Sequence, residues 1–358
     1  MVVLDVSKKW VILLPLQITT ARVMGEELAR CIGLLRNAGG SGSDAPRILD
    51  ALGPSPEDAI PLVALYVESE GDIKNGFFWR ARRDRIEIYG DSGRGLCNGV
   101  YDFLKTLGFR WPKPGEEEVP RGDPDKPWLF PLGEGNGKSP SQPFPARRRL
   151  VLPGNRQNGD TPISRDALIP WAARNQIDAL VIPPEQGDSA VFKKFKRERT
   201  AEESFRSLAQ VYALSLEAGG WMLSRLVPRR YFFLHRDMFR MERGKRVKNF
   251  NFCPTSPEAI RFIQREAEKF FRSWPEVQVF HLWPDRGHEK TWCACPACRA
   301  FTPEEQNRIA VNSAADVLMK INPQARLSYY EDFEEPGAIV VRSNMFPLTG
   351  GLEMPPIS

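Results

Sequence analysis

Histidine is scarce in this chain: three in 358 residues, at positions 235, 281 and 288. All three lie in the second half of the chain, so the first half supplies no histidine of its own to relay a nucleophile. Cysteine is also sparse, with six residues, and no disulfide-dense secreted framework follows from so few in so long a chain. No apolar run approaches the length of a membrane span. The one near the N-terminus, in "KKWVILLPLQ", is too short even for a signal-peptide core, and no small-residue cleavage site follows it. Charge of one sign is not in excess: 50 Lys and Arg face 45 Asp and Glu, which argues against a nucleic-acid footprint spread over the surface. The densest basic run, Lys193 to Arg197, is followed at once by Glu198 and reads as a solvated loop. These absences point to a cytoplasmic globular protein, where clustered thiols stay reduced and more often hold metal than pair with each other.

What is present divides in two. Trp10 to Leu16 reads as a buried strand, and Ala21, Met24, Leu28, Ile32 and Leu35 recur at helical steps behind it. "PLVALYVES", "FFWRARRD" and "IEIYGDS" read as strands and "GLCNGVYDFLKTLG" as a helix, giving a small α+β domain over 1–120. Residues 121–145 are rich in Pro and Gly and read as a linker. From 146 to 358 strands alternate with amphipathic helices. "RRRLVLPG", "IDALVIPP", "RRYFFLHRD", "VQVFHLWPD" and "ARLSYYED" read as strands, with a sixth at "AIVVRSN"; "AEESFRSLAQVYALSLEAGG" reads as a helix. The alternation predicts an α/β chain with a (β/α) TIM-barrel-like domain, and the absence of a G-x-G-x-x-G fingerprint favours it over a doubly wound sheet. Five or six strands fall short of eight, so the barrel is expected to be incomplete. An open sheet would expose two unpaired edges, and the tail "NMFPLTGGLEMPPIS", with three prolines, is not expected to supply a strand. Self-association, or a separately encoded remainder of the barrel, is the expected consequence.

Two motifs are decoys. "GDSGRG" at 90–95 looks like a serine-nucleophile loop but leads straight into a helix of the histidine-free domain, so it reads as a strand-to-helix turn. "GEGNGKS" at 133–139 is one residue short of phosphate-loop spacing.

Two stretches carry a resemblance. "IEIYGDSGRGLCNGVYDFLKTLGFRWPKPGEEEVP" resembles the end of the N-terminal domain that precedes the barrel in α-glucuronidases and β-N-acetylhexosaminidases. "WAARNQID", "FCPTSPEAIRFI" and "HLWPDRGHEKTWCACPACRA" resemble a barrel of an uncharacterised bacterial family linked to carbohydrate use. The resemblance implies the barrel fold and a carbohydrate partner.

"TWCACPACRA" follows the fourth expected barrel strand and so lies on a βα loop at the C-terminal face, where barrel sites are built. Cys253 lies on the loop after the third. Neighbouring parallel strands run about 4.8 Å apart, so Cys253, Cys293, Cys295 and Cys298 can form a closed, structural zinc tetrathiolate, with His288 as substitute ligand. Free thiols and an oxidised pair are the plain alternatives. Cys31 and Cys97 read as ordinary buried thiols.

Glycoside hydrolysis generally needs two carboxyls flanking the scissile bond. Asp285 ends the fourth strand and Glu331 the fifth; they are the expected catalytic pair, Asp285 as acid or substrate-positioning group. Trp283, Trp292 and Tyr330 are expected to stack on sugar rings, and His235, His281, His288 and Asp332 to bind substrate hydroxyls or carboxylates. The reading is a glycoside-hydrolase-like protein acting on acidic or N-acetylated sugars. The rivals are a carbohydrate-binding protein without turnover and a zinc-stabilised interaction module.

Overall fold

The computed structural model describes residues 2–5, 10–15, 18–38, 46–50, 62–67, 75–81, 85–121, 129–132, 138–139, 148–152, 165–183, 206–285, 291–330, 338–348 and 352–353. No helix among them is long and apolar enough to cross a membrane.

The first half contains β1 (Val2–Asp5), β2 (Val11–Leu14), α1 (Thr19–Ala38), β3 (Arg47–Asp50), β4 (Leu62–Val67), β5 (Phe77–Ala81), β6 (Arg85–Gly90), α2 (Gly93–Thr106), β7 (Leu129–Leu132) and β8 (Lys138–Ser139). One sheet runs β3-β2-β4-β6-β5-β8, and a separate antiparallel pair joins β1 to β7. Two strands thus come from the Pro- and Gly-rich stretch read as a linker. The "GDSGRG" turn is structural: Ser92 caps α2 by accepting the Gly95 N–H, and a Cβ on Gly95 would fall 2.2 Å from the Gly76 carbonyl oxygen.

The second half holds β9 (Arg149–Val151), α3 (Arg165–Arg174), β10 (Ala179–Ile182), β11 (Ser215–Trp221), β12 (Met241–Glu242), β13 (Lys245–Arg246), α4 (Pro257–Ser273), β14 (Val279–Trp283), α5 (Pro303–Ile321), β15 (Arg326–Tyr329), β16 (Met345–Pro347) and β17 (Leu352–Glu353). Seven of its strands form one parallel sheet, ordered β16-β15-β14-β11-β10-β9-β17. Leu150, Leu180, Phe280, Leu282 and Leu327 lie in the buried apolar clusters that include the flanking helices. The sheet curls. Arg149 on β9 lies 5.8 Å from the ring centroid of Phe346 on β16, although four strands separate them.

Three strand readings need correction. "RRYFFLHRD" is not a strand: Arg229–Phe233 and Arg236–Met238 are 3-10 turns, and Phe233 and Leu234 project into solvent, 75% and 79% exposed. The third barrel strand is instead "SLEAGGW", read above as the end of a helix. Ala213 takes a left-handed φ of 50° that breaks the helical path, and hydrogen bonding from β10 and β14 on both sides makes the segment extended. The sixth strand is Met345–Pro347 rather than "AIVVRSN". The tail also contributes, since Leu352 and Glu353 pair with β9.

The two halves meet at a buried polar joint. Arg94 and Asp178, 1% and 2% exposed, approach to 3.7 Å, and Asn75 donates to Asp178 at 3.0 Å. Trp171 and Asn175 both donate to the Trp111 carbonyl oxygen, at 3.0 and 3.1 Å. The tryptophan-bearing motifs of the two halves are therefore the two sides of one seam.

Candidate functional site

The C-terminal ends of β11, β14 and β15 bring three aromatic rings together. Trp221, Trp283 and Tyr330 form a contiguous group, with Trp221 centroids 5.2 Å from Trp283 and 5.4 Å from Tyr330. Trp283 is fully buried; Trp221 is 36% exposed and presents the accessible ring. The approach depends on Gly219 and Gly220, whose φ values of 119° and 124° admit only glycine. A Cβ on Gly219 would lie 2.0 Å from the His281 carbonyl oxygen. Sequence reasoning missed Trp221 because it read the segment as helix; two adjacent glycines before a tryptophan were the available signal.

Asp285 lies two residues past the end of β14, with its side chain 32% exposed. Its carboxylate faces Arg229 at 3.6 Å, and Arg229 also donates to the Phe250 carbonyl oxygen. Burial pulls the Arg229 guanidinium down from its ordinary value, against the opposing pull of Asp285. Asn251, fully buried, fixes the Asp285 backbone: its amide oxygen accepts the Asp285 N–H at 2.9 Å and its amide nitrogen donates to the Asp285 carbonyl at 3.2 Å. Neither Arg229 nor Asn251 carried a sequence signal. Their partners are distant along the chain.

Beneath the mouth, the inner face of the sheet carries a buried polar chain where branched aliphatic residues dominate most barrels. Arg149 donates to the Glu217 carboxylate at 2.7 Å, and the His281 Nε2–H donates to the same carboxylate oxygen at 2.7 Å. His281 Nδ1 accepts from the Ser328 hydroxyl at 2.5 Å, and Ser328 accepts from the Trp283 indole N–H at 2.9 Å. Burial opposes the Glu217 charge, but the His281 and Arg149 interactions outweigh it and hold the carboxyl below its ordinary range. Burial likewise pushes His281 down, despite Glu217. The chain is therefore Arg⁺, Glu⁻ and neutral imidazole, which matches the donor directions along it.

The other expected residues separate. His281, expected to meet substrate hydroxyls, is wholly buried in this chain of bonds. Trp292, 9% exposed, packs edge-on to Phe252 at 5.9 Å. His235 pairs with Glu258 at 2.9 Å on the outer turn. His288, Glu331 and Asp332 lie outside the described residues.

Cys253, Cys293, Cys295 and Cys298 do converge. All are buried, and their Sγ atoms lie within 4.8 Å of one another. Cys253 Sγ is 3.7 Å from that of Cys295 and 3.6 Å from that of Cys298. Hydrogen bonds from the Cys293 and Cys298 thiols hold Cys253 far below the ordinary thiol range; the same hydrogen bonding to Cys253 raises Cys298, and pushes Cys293 up to about 11. A second set, Glu27, Cys31 and Glu117, is already filled by cations: Arg30 bonds both carboxylates and Arg174 bonds Glu27.

Solved structures place this geometry in a known fold. The chain is similar to the GH20 β-N-acetylhexosaminidase of Streptomyces coelicolor A3(2), with TM-score 0.56 and 12% identity, covering 97% of this chain and 66% of that one. It is similar to the GH20 chitobiase of Flavobacterium johnsoniae, with TM-score 0.56 and 14% identity, covering 97% of this chain and 52% of that one. The β-N-acetylhexosaminidase of Bacteroides fragilis NCTC 9343 matches with TM-score 0.53 and 12% identity, covering 97% and 66%. The likeness is one of fold: an α/β chain with a parallel sheet of the TIM-barrel kind. The chain spans between about half and just under two thirds of the length of these enzymes. No protein-family model and no curated protein matches the sequence. The hexosaminidase side of the sequence resemblance thus agrees with the TIM-barrel fold, while the glucuronidase side and the uncharacterised family rest on motifs alone.

Proposed function

We propose that the chain is a glycoside-hydrolase-like protein that binds N-acetylated sugars at the C-terminal mouth of its sheet. The observation that carries this reading is a partly exposed carboxylate, Asp285, two residues past the end of β14, the strand whose Trp283 packs against the partly exposed Trp221 at the end of neighbouring β11. The ring supplies an apolar face for a pyranose, and the carboxylate an acceptor for its polar groups. An N-acetylated sugar can use its own acetamide oxygen as nucleophile, so that the protein supplies one proton donor and one carboxylate that orients the acetamide. Asp285, with its backbone pinned by Asn251 and its charge faced by Arg229, suits the orienting role, and Glu331 is the proposed donor.

Chromogenic N-acetylhexosaminides test the reading, with uronides as the comparison. Turnover on the hexosaminides is expected, with Asp285→Asn lowering kcat by about 10²-fold or more. Trp221→Ala is expected to weaken sugar binding about tenfold by loss of the stacking ring. Glycan binding without hydrolysis would make the protein a carbohydrate binder. Silence in both assays would overturn the sugar reading.

A further inference from the structure

We propose that Cys253, Cys293, Cys295 and Cys298 hold one zinc ion as a closed tetrathiolate. This clasp joins the segment after β11 to the segment after β14 and thereby sets the position of Asp285.

The sulfur spacing is the first support. Zinc binds thiolate at about 2.3 Å, so the edges of its sulfur tetrahedron measure about 3.8 Å. Cys253 Sγ stands 3.6 Å from Cys298 Sγ and 3.7 Å from Cys295 Sγ, and no pair exceeds 4.8 Å. A disulfide needs about 2.05 Å. The spread is that of a single metal, too small for a cluster of several irons.

Groups around the sulfurs are the second support. The Met241 N–H donates to Cys293 Sγ at 3.2 Å, and the Arg246 guanidinium reaches the same sulfur at 3.7 Å. The Thr255 hydroxyl lies 3.1 Å from Cys298 Sγ and 3.3 Å from Cys253 Sγ. Donors aimed at sulfur stabilise thiolate, and a cation beside it offsets the double negative charge of a zinc tetrathiolate. The strands β12 and β13 exist to present two of these groups. Arg243 and Gly244, with φ of 48° and 76°, make the tight turn between them, and Met241 accepts the Ala294 N–H at 2.8 Å in return. All four ligands come from protein and are buried, so the site has no open position and is structural.

The clasp reaches the mouth through a short path. Cys253 is two residues from Asn251, whose N–H donates to the Thr291 carbonyl and whose side chain holds both backbone groups of Asp285. Cys293 is two residues from Thr291. Zinc therefore closes the ring of contacts in which Asp285 is set. The metal site and the sugar reading fail separately, because metal content is measured without any sugar.

The full chain, purified without added metal, is expected to contain one zinc per molecule. Cobalt exchange should give the intense visible bands of a tetrahedral tetrathiolate. Four thiols should become reactive as zinc is released, while Cys31 and Cys97 stay buried in the native protein. Amide exchange at Asp285 and Cys253 should quicken at least about tenfold on chelation and return on adding zinc. Cys295→Ser should lower zinc content; if it does not fold, chelation of the native chain supplies the same comparison. Six reduced thiols with no zinc and no cobalt spectrum would overturn the site, as would iron in its place or two disulfides among the four. Unchanged exchange at Asp285 after zinc loss would overturn the positioning role.

Discussion

Arg149→Met isolates the charge balance inside the barrel. Methionine keeps most of the apolar stem and removes the guanidinium, which faces Glu217 at 2.7 Å and lies over the Phe346 ring. Arg149 and Glu217 are 1% and 0% exposed, so the Glu217 carboxylate left behind is buried away from bulk solvent. Breaking a buried pair on one side costs about 3–5 kcal/mol. The variant should lose that much at neutral pH in denaturant unfolding followed by tryptophan fluorescence. Acidification should shrink the difference. The isolated Glu217 gains by taking up a proton, and His281 gains by becoming a cation beside it. The double variant Arg149→Met/Glu217→Gln removes both charges and should recover most of the loss. A loss below about 1 kcal/mol, or one that does not change with pH, would refute the assignment of a charged Arg149–Glu217 pair.

The unaltered protein should lose stability as pH falls. His281 is depressed below 6.5 and Glu217 below 4.5, so each contributes in full above its unfolded value; the His281 contribution fades below about pH 6.5 and that of Glu217 below about pH 4.5, measurable as a falling urea midpoint. Gly219→Ala should cost about 3 kcal/mol or more, because the new Cβ meets the His281 carbonyl at a backbone angle closed to alanine; an unchanged urea midpoint would contradict the glycine-dependent approach of β11 to β14. Asn251→Ala should cost about 1 kcal/mol by removing the partner of the part-buried Asp285 N–H, and should raise KM for any sugar substrate; a change in stability alone would restrict Asn251 to a folding role.

Much of the fold was legible because local pattern and final environment agree. The runs that became β2, β4, β10, β14 and β15 are short, apolar and bounded by turn residues, as buried parallel strands must be. The thiol cluster was legible for a different reason. Cys253 falls on the connection between two strands that are neighbours in the sheet, so it meets the Cys293 loop even though the third strand was assigned to the wrong residues. That Asp285, Trp283 and Tyr330 lie at the C-terminal ends of neighbouring strands was legible because adjacent parallel strands end on the same side of the sheet. By contrast β11 was hidden: "SLEAGGW" has a charge and two glycines where a strand is expected to be apolar and branched. Its Glu217 is tolerable there only because Arg149 and His281 arrive from other strands.

By itself the sequence determined the alternation of strands and helices, the separation into two halves with distinct sheets, and the four sulfurs that could meet. Each follows from spacing along the chain. The tertiary structure alone decided which rings reach the mouth, which histidine is sealed inside, and which side chains pin Asp285. Those outcomes depend on partners far apart in sequence: Asn251 with Asp285, Arg229 with Asp285, Arg149 with Glu217. A buried charge or a glycine-dependent contact is stable only when its partner is in place, and no local pattern carries that information.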